Sequence, residues 1–198
     1  MDMSFTTLTE WNQQEWEKLK PIYKEAFPHG AKPESILRSM LGRGIATLHG
    51  GFIGDEAAAM AVTGLSGPQE ARNLILDYMA VRKDLRGQGF GSLFLRQIRG
   101  WAVQKHAVKA IIIEAEAEDS DINRARLSFW ERSGFISTAY VHTYIWVPEP
   151  YRALALPLDP EFEVKDEGQS LFRSITAFHE KAYRNTFSNT GKSDIRPE

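Results

Sequence analysis

The segment LRGQGFGS, residues 85–92, places three glycines in five positions and has the composition of an anion-binding turn. It lies between an apolar run, residues 74–81, and a stretch with helical periodicity, residues 93–103. A glycine-rich turn at the start of a helix exposes consecutive backbone N–H groups beside the positive end of the helix dipole. Each hydrogen bond to a charged oxygen is worth roughly 1.5–3 kcal/mol, so three or four would hold a pyrophosphate.

Three phosphate-binding patterns can be compared with this turn. A P-loop requires G-x-x-x-x-G-K-[ST], but the only Gly-Lys-Ser begins at Gly191, and Thr186 stands where the first glycine belongs. The dinucleotide pattern G-x-G-x-x-G fails at its third glycine, where the chain has Ser92. The pattern [QR]-x-x-G-x-[GA] is matched in full by residues 86–91, RGQGFG.

That third pattern is typical of the GNAT superfamily of acetyl-CoA-dependent N-acetyltransferases, which this sequence resembles. Residues 76–95, LDYMAVRKDLRGQGFGSLFL, resemble the family's unit of strand, pyrophosphate loop and helix. Residues 123–135, NRARLSFWERSGF, resemble its later helix, which ends in Gly-Phe. The resemblance covers about residues 10–158. It implies an α/β (α+β) fold with a central mixed, partly splayed sheet flanked by helices.

The resemblance also implies acetyl-CoA as co-substrate, with no metal. The backbone amides of residues 88–92 would hold the pyrophosphate, and the strand before them would pair with the pantetheine arm. A bulge in that strand would splay it from its neighbour and leave an amide free to polarise the thioester carbonyl. Arg82, Lys83 and Arg86 either meet the 3′-phosphate or are solvated. The expected coenzyme-binding residues are Met79, Ala80, Val81, Arg86, Gly87, Gln88, Gly89, Phe90, Gly91, Ser92 and Asn123.

Acetyl transfer to an amine needs a general base, because a lysine-like amine with a pKa of about 10.4 arrives protonated. Such a base typically increases the reaction rate about 10²–10⁴-fold. Alternation predicts that Asp77 shares a face with Ile75, Met79 and Val81. It also predicts that Glu114 and Glu116 share a face of the next strand. Asp77 and Glu114 are the predicted bases, with Asp77 ahead because family members often carry a carboxylate there. The alternative is solvated carboxylates or a satisfied ion pair.

The proton source for the leaving thiolate is open. The family usually has a tyrosine in the pattern Tyr-Glu-x-x-Gly-Phe, but this chain has Trp130, whose indole N–H donates without titrating as an acid. Either the thiol, with a pKa of about 8.5, leaves as thiolate with a hydrogen bond alone, or Tyr140 or Tyr144 supplies the proton. Tyr144 is the predicted catalytic tyrosine. Residues 144–151, YIWVPEPY, could shape the acceptor site.

Periodicity and turn residues predict the elements that position these groups. Helices are expected over residues 12–27, 33–42, 92–106, 121–133 and 167–186. Strands are expected over residues 45–53, 57–65, 73–81, 110–118, 136–144 and 153–158. Alternating strands and helices in the second half call for a partly parallel sheet. We expect an acyltransferase domain over residues 1–158 and, over 159–198, an extension with an amphipathic helix and a disordered tail. That helix would cover the cleft, mediate dimerisation or pack on the sheet.

Composition excludes several classes. The 198 residues carry a net charge of −2, which gives no global electrostatic case for nucleic acid or an anionic membrane. The absence of cysteine excludes disulfides, thiolate metal sites and a cysteine nucleophile. The polar N-terminus does not resemble a signal peptide, and no apolar stretch suits a bilayer span. We therefore expect a soluble cytoplasmic protein, monomeric or homodimeric, that binds neither nucleic acid nor membranes.

The sequence therefore predicts an N-acetyltransferase that moves an acetyl group directly from acetyl-CoA to a primary amine of a small molecule or peptide. The alternative is a non-catalytic acyl-CoA-binding or interaction protein with the same fold. Trp130, at the family's tyrosine position, is the feature that favours this alternative.

Overall fold

The computed structural model describes residues 2–145 and 147–184. Its strands are β1 (Ser4–Leu8), β2 (Ala46–Ile53), β3 (Glu56–Ser66), β4 (Asn73–Val81), β5 (Ala110–Glu116), β6 (Ile136–Thr143) and β7 (Pro150–Pro157). Its α-helices are α1 (Gln13–Ala26), α2 (Glu34–Gly42), α3 (Phe90–His106), α4 (Asp121–Arg132) and α5 (Gln169–Tyr183). The strands form one mixed sheet in the order β1-β2-β3-β4-β5-β7-β6. The predicted fold class, including the C-terminal helix, is confirmed.

The predicted elements agree with the structure within a few residues, except that β1 was missed. This strand, SFTTL, is short and half-buried, and it pairs antiparallel with β2 along its whole length. Its pattern is weak because its two apolar residues, Phe5 and Leu8, are three positions apart and do not follow the two-residue period of a strand. The edge of β2 therefore makes these residues a strand, through hydrogen bonds that local sequence does not reveal.

The sheet is open between β4 and β5. These parallel strands pair only at Leu74 with Ile111 and at Ile75 with Ile112. Beyond that point β4 continues to Val81 against β3, while β5 continues to Glu116 against β7. The second half of β4 therefore has β3 on one edge and an opening toward β5 on the other.

The two faces of the sheet bury separate apolar cores. On the first face, the helices α1, α2 and α5 pack against the sheet through buried side chains such as Trp16, Leu37 and Phe178. On the second face, α3 and α4 cover a core that includes Phe94 and Phe135. We call these the α5 face and the α3 face. The opening between β4 and β5 is the place where groups on the two faces can meet.

The C-terminal helix is part of the α5-face core. Its buried stripe includes Leu171, Ile175 and Phe178. The Arg43 guanidinium donates to the carbonyl oxygens of Lys181, Ala182 and Arg184, at 2.7–3.0 Å, and so satisfies the end of the helix. Within the described residues, no helix is long and apolar enough to cross a membrane.

Docking of α5 depends on a missing side chain at Gly64 in β3. A Cβ there would lie 2.1 Å from a ring carbon of Phe178 and 2.9 Å from the carbonyl oxygen of Ile45. We expect Gly64→Ala to lower the free energy of unfolding by about 1–3 kcal/mol, because the ring and the backbone must both move. Urea unfolding would measure the loss. Gly100→Ala in α3 is the matched control, since a Cβ there meets no atom within 4 Å. Equal stability of the two variants would contradict this account of α5 docking.

Candidate functional site

A β-bulge sets the direction of Asp77. In the β3–β4 register, Val62 faces Tyr78 and Thr63 faces Leu76, which leaves Asp77 as the extra residue. One extra residue reverses the alternation of side chains beyond it. Tyr78 therefore packs on the α5 face, as Asp77 does, while Met79 and Val81 pack on the α3 face. Ile75, before the bulge, lies on the α5 face as predicted, but the prediction that Met79 and Val81 share the face of Asp77 was wrong for this reason.

Asp77 forms a buried ion pair with Lys32, from the loop between α1 and α2. The Nζ atom lies 2.9 and 2.8 Å from the two carboxylate oxygens, and both side chains are only 4% exposed. The ammonium also lies 4.9 Å from the ring centroid of Tyr78, whose hydroxyl donates to the carbonyl of Gly30 at 3.1 Å. The loop is thereby tied to β4. Sequence reasoning missed Lys32, since a lone lysine in a loop carries no motif.

Glu114 of β5 lies on the other side of the opening. Its Oε2 accepts a hydrogen bond of 2.6 Å from the Tyr144 hydroxyl, and its Oε1 lies 3.2 Å from Nε2 of His179 in α5. His179 Nδ1 lies 3.2 Å from Lys32 Nζ and so connects Glu114 to the ion pair. We call these residues, with Asp77, the polar network. It brings together all three predicted catalytic residues and adds two that were not predicted.

The network favours an anionic Glu114. Burial raises the pKa of this carboxyl. The hydrogen bond from His179, the positive charge that a protonated His179 would add, the hydrogen bond from Tyr144 and the charge of Lys32 all lower it, and together they hold the pKa below its usual value. Burial, together with the negative charge of Glu114, raises the pKa of Tyr144. At neutral pH the pair is therefore a carboxylate that accepts from a protonated tyrosine.

The other polar candidates have different surroundings. Glu116 lies 3.6 Å from the Nη1 atom of Arg126 and is about one-third exposed. The Tyr140 hydroxyl lies 3.3 Å from Nδ1 of His142. Trp146, from the segment considered for the acceptor site, lies outside the described residues.

The glycine turn has the backbone geometry of an anion site. Gly87 and Gly89 have φ values of +75° and +87°, which favour glycine, and α3 begins at the next residue, Phe90. The amide of Leu93 donates to the carbonyl of Gly89 at 3.1 Å. The amides of residues 90–92 precede it in the first turn, where no carbonyl of the helix can accept from them. No side chain caps the helix at Gly89, so the positive end of α3 is open.

Side chains around the turn hold its shape. Arg86 Nε donates to the carbonyl of Val81 at 2.9 Å. Arg82 forms ion pairs with Asp84 and Glu56, at 2.8 and 3.0 Å. The charge of Arg82 is therefore already balanced within the protein, which weakens its case as a partner for the 3′-phosphate.

The third glycine of the turn has a packing role. A Cβ at Gly91 would lie 3.3 Å from the ring of Phe129 in α4 and 3.7 Å from Val81. Trp130 stands edge-on to Phe129, with ring centroids 4.9 Å apart, and is partly buried in the α3-face core. Asn123, at the start of α4, is buried and donates to the carbonyl of Glu118 at 3.1 Å. Gly91 thus allows α4 to approach the start of α3.

Solved structures share this fold. A putative GNAT-family acetyltransferase from Bacteroides thetaiotaomicron has a TM-score of 0.69 at 15% identity, with 88% of this chain and 96% of that chain covered. The ribosomal-protein-S18-alanine N-acetyltransferase from Escherichia coli has a TM-score of 0.63 at 19% identity, covering 82% and 97%. A Bacillus subtilis acetyltransferase in complex with CoA has a TM-score of 0.58 at 20% identity, covering 79% and 99%.

Sequence comparison identifies a family for part of the chain. No curated protein sequence matches significantly. The sequence profile of the Acetyltransferase (GNAT) family matches residues 6–135, which include the glycine turn, Asp77 and Glu114. Tyr144 and His179 lie beyond the matched region. Because the match spans well over half of the chain, the protein is a member of the GNAT acetyltransferase family.

Proposed function

We propose that the protein is an N-acetyltransferase that moves an acetyl group from acetyl-CoA to a primary amine. The observation that carries this proposal is the arrangement of two sites around one opening. The open N-terminus of α3 follows directly from β4, and Glu114 lies across the opening from β4. A donor held along β4 would therefore present its acetyl group beside a carboxylate.

The residues of the turn fit a coenzyme A pyrophosphate. The amides of residues 90–92 are unpaired within the helix, and a Cβ at Gly87 or Gly89 would meet no protein atom within 4 Å. This leaves space and donors for phosphate oxygens. The backbone of residues 79–81 borders the opening and is placed to pair with the pantetheine arm. Asn123, at the start of α4, is the predicted side-chain contact to the same arm.

We assign the general base to Glu114 in preference to Asp77. Both oxygens of Asp77 accept from a buried ammonium, so its charge is compensated within the protein. Glu114 is anionic, and its side chain is 23% exposed. Each of its oxygens has one protein donor and retains a lone pair for an incoming amine. Tyr144 then acts by holding one of those oxygens.

Direct transfer balances without an acetyl-enzyme. The ammonium gives one proton to Glu114, its nitrogen forms a bond to the acetyl carbon, and the bond between that carbon and sulfur breaks to release the coenzyme A thiolate. The second proton of the nitrogen passes to that thiolate or to water, which leaves a neutral amide. The chain has no cysteine that could carry the acetyl group as a thioester. A thiol with a pKa of about 8.5 can leave as thiolate near neutral pH, so Trp130 need not supply a proton.

Replacement of Gly89 tests the donor site. We expect Gly89→Val to weaken acetyl-CoA binding by at least about tenfold, because a side chain would fill the anion site and each lost N–H contact to a charged oxygen costs about 1.5–3 kcal/mol. Calorimetric titration with acetyl-CoA would measure the affinity.

Gly54→Val is the matched control for backbone strain. Gly54, in the β2–β3 turn, also has a positive φ and open space around its Cβ position. The Gly54→Val variant should be less stable than the native protein but should bind acetyl-CoA with the same affinity. Equal affinity of Gly89→Val and the native protein would overturn the assignment of the loop.

A second candidate function is that of a non-catalytic acyl-CoA-binding protein. It is favoured by Trp130, which stands where the family usually has a tyrosine. Thiol release from acetyl-CoA, assayed with lysine, a polyamine and a peptide with a free N-terminus, separates the two functions. Amine-dependent release supports the enzyme. Tight binding of acetyl-CoA with no release for any of these amines favours the binding protein.

A further inference from the structure

His179 is the residue that joins the two carboxylates at the opening. Its Nδ1 atom lies 3.2 Å from Lys32 Nζ and 3.9 Å from an oxygen of Asp77, and its Nε2 atom lies 3.2 Å from Glu114 Oε1. It comes from α5, which lies outside the matched family region. Its side chain is 20% exposed, so the contacts are largely shielded from water.

The partners of the ring determine its tautomer. An ammonium has hydrogens to donate and no lone pair, so Nδ1 must accept from Lys32. A neutral imidazole has one acceptor and one donor nitrogen, so the hydrogen is on Nε2 and is donated to Glu114. An imidazolium would direct a second N–H at the ammonium. Both short contacts are therefore satisfied only by the neutral ring with its hydrogen on Nε2.

We propose that His179 is a positioning residue for the reaction, which Lys32 holds in the Nε2–H tautomer and which in turn holds the Glu114 carboxylate at the opening between β4 and β5. The inference rests on the proposed function, since it gives Glu114 its use. It makes α5 a part of the active site. The adjacent Phe178 packs against β3 at Gly64, where a Cβ would clash with its ring.

The charges around Glu114 show what loss of this contact would do. The charge of Lys32 acts on it from the α1–α2 loop, Tyr144 donates to it, and His179 contacts it from α5. Asp77 of β4 contacts Lys32 and His179, and Tyr151 of β7 lies within the influence of Glu114, Glu116, Glu149 and Arg126. Removing the imidazole donor leaves burial less opposed. The pKa of Glu114 should then rise, and more of the carboxyl is protonated and unable to act as a base.

Two substitutions separate positioning from bulk packing. His179→Gln can accept from Lys32 through its oxygen and donate to Glu114 through its nitrogen, whereas His179→Leu can do neither. Arg43→Met is the matched control, because it loosens the end of α5 without touching the polar network. Nitrogen-15 NMR of the histidine rings and carbon-13 NMR of the glutamate carboxyls, in the protein alone, would report the tautomer and the titration of Glu114.

We expect the signal of the Nε2–H tautomer for His179 and a higher Glu114 pKa in His179→Leu. Loss of one hydrogen bond to a charged group predicts a fall in kcat/KM of about 10- to 100-fold for His179→Leu. His179→Gln should restore both properties. The inference is overturned if His179 is the other tautomer or doubly protonated, if His179→Gln behaves like His179→Leu, or if Arg43→Met reproduces the loss. The NMR measurements need no acetyl-CoA. They therefore test the contact between His179 and Glu114 even if the protein proves not to be an acetyltransferase.

Discussion

Glu114→Gln should lower kcat for acetyl transfer by about 10²–10⁴-fold, because it removes the group that takes the proton of the attacking amine. Acetyl-CoA affinity should not change, since glutamine keeps the size of the side chain and the proposed pyrophosphate site lies at the start of α3. The measurement is thiol release with any amine that the native protein accepts, together with a separate titration of acetyl-CoA binding.

Glu116→Gln is the matched control. This carboxylate lies two residues further along β5, but it is paired with Arg126 and does not contact the polar network. Its replacement should leave kcat close to the native value. If Glu114→Gln turns over an accepted amine as fast as Glu116→Gln does, Glu114 is not the base.

Asp77→Asn should affect stability rather than kcat, unlike Glu114→Gln, and unlike the near-neutral Glu116→Gln. It leaves the Lys32 ammonium buried with a neutral partner, and breaking a buried ion pair typically costs about 3–5 kcal/mol. We therefore expect its main effect on the free energy of unfolding. A folded Asp77→Asn protein with full stability and no turnover would return the role of base to Asp77.

The second large effect concerns stability at low pH and comes from His49 in β2. Its side chain is fully buried, with Nδ1 3.1 Å from the Thr7 hydroxyl and Nε2 2.9 Å from the Thr63 hydroxyl. Burial, with a smaller contribution from the charge of His106, lowers its pKa from 6.5 to about 3. The folded protein therefore keeps this ring neutral where the unfolded chain would protonate it.

The sign of the pH effect follows from proton linkage. Between the folded pKa and the unfolded pKa, the unfolded state binds more protons, so stability is complete above the unfolded value and is lost as the pH falls. From about pH 7.5 to about pH 5, His49 should remove about 2 kcal/mol from the free energy of unfolding.

Urea unfolding followed by tryptophan fluorescence at both pH values would measure this loss. His49→Gln should show a smaller decrease than the native protein by that amount, whereas His29→Gln, which changes an exposed histidine, should match the native protein. An identical pH dependence in all three proteins would show that His49 is not the group responsible.

Local sequence was sufficient for the elements other than β1 and for the conformation of the glycine turn. The loop is short, and its chemistry depends on backbone conformation that glycine at positions 87 and 89 permits, so residue type and spacing carry the information. The helices and most strands follow from side-chain periodicity for the same reason. The sequence likewise named three residues of the polar network, Asp77, Glu114 and Tyr144.

Tertiary structure decided how those residues are used. The face of Asp77 depends on one bulged residue in the pairing of β3 with β4, which alternation within β4 cannot show. Lys32 and His179 are 147 positions apart, and they meet only because the sheet and α5 bring their elements together. A buried carboxylate takes its role from the charges that surround it in space. Around Glu114 the Lys32 ammonium comes from a loop near one end of the chain and the His179 ring from a helix near the other, so the choice of Glu114 as the proposed base and of His179 as its positioning residue rests on the fold.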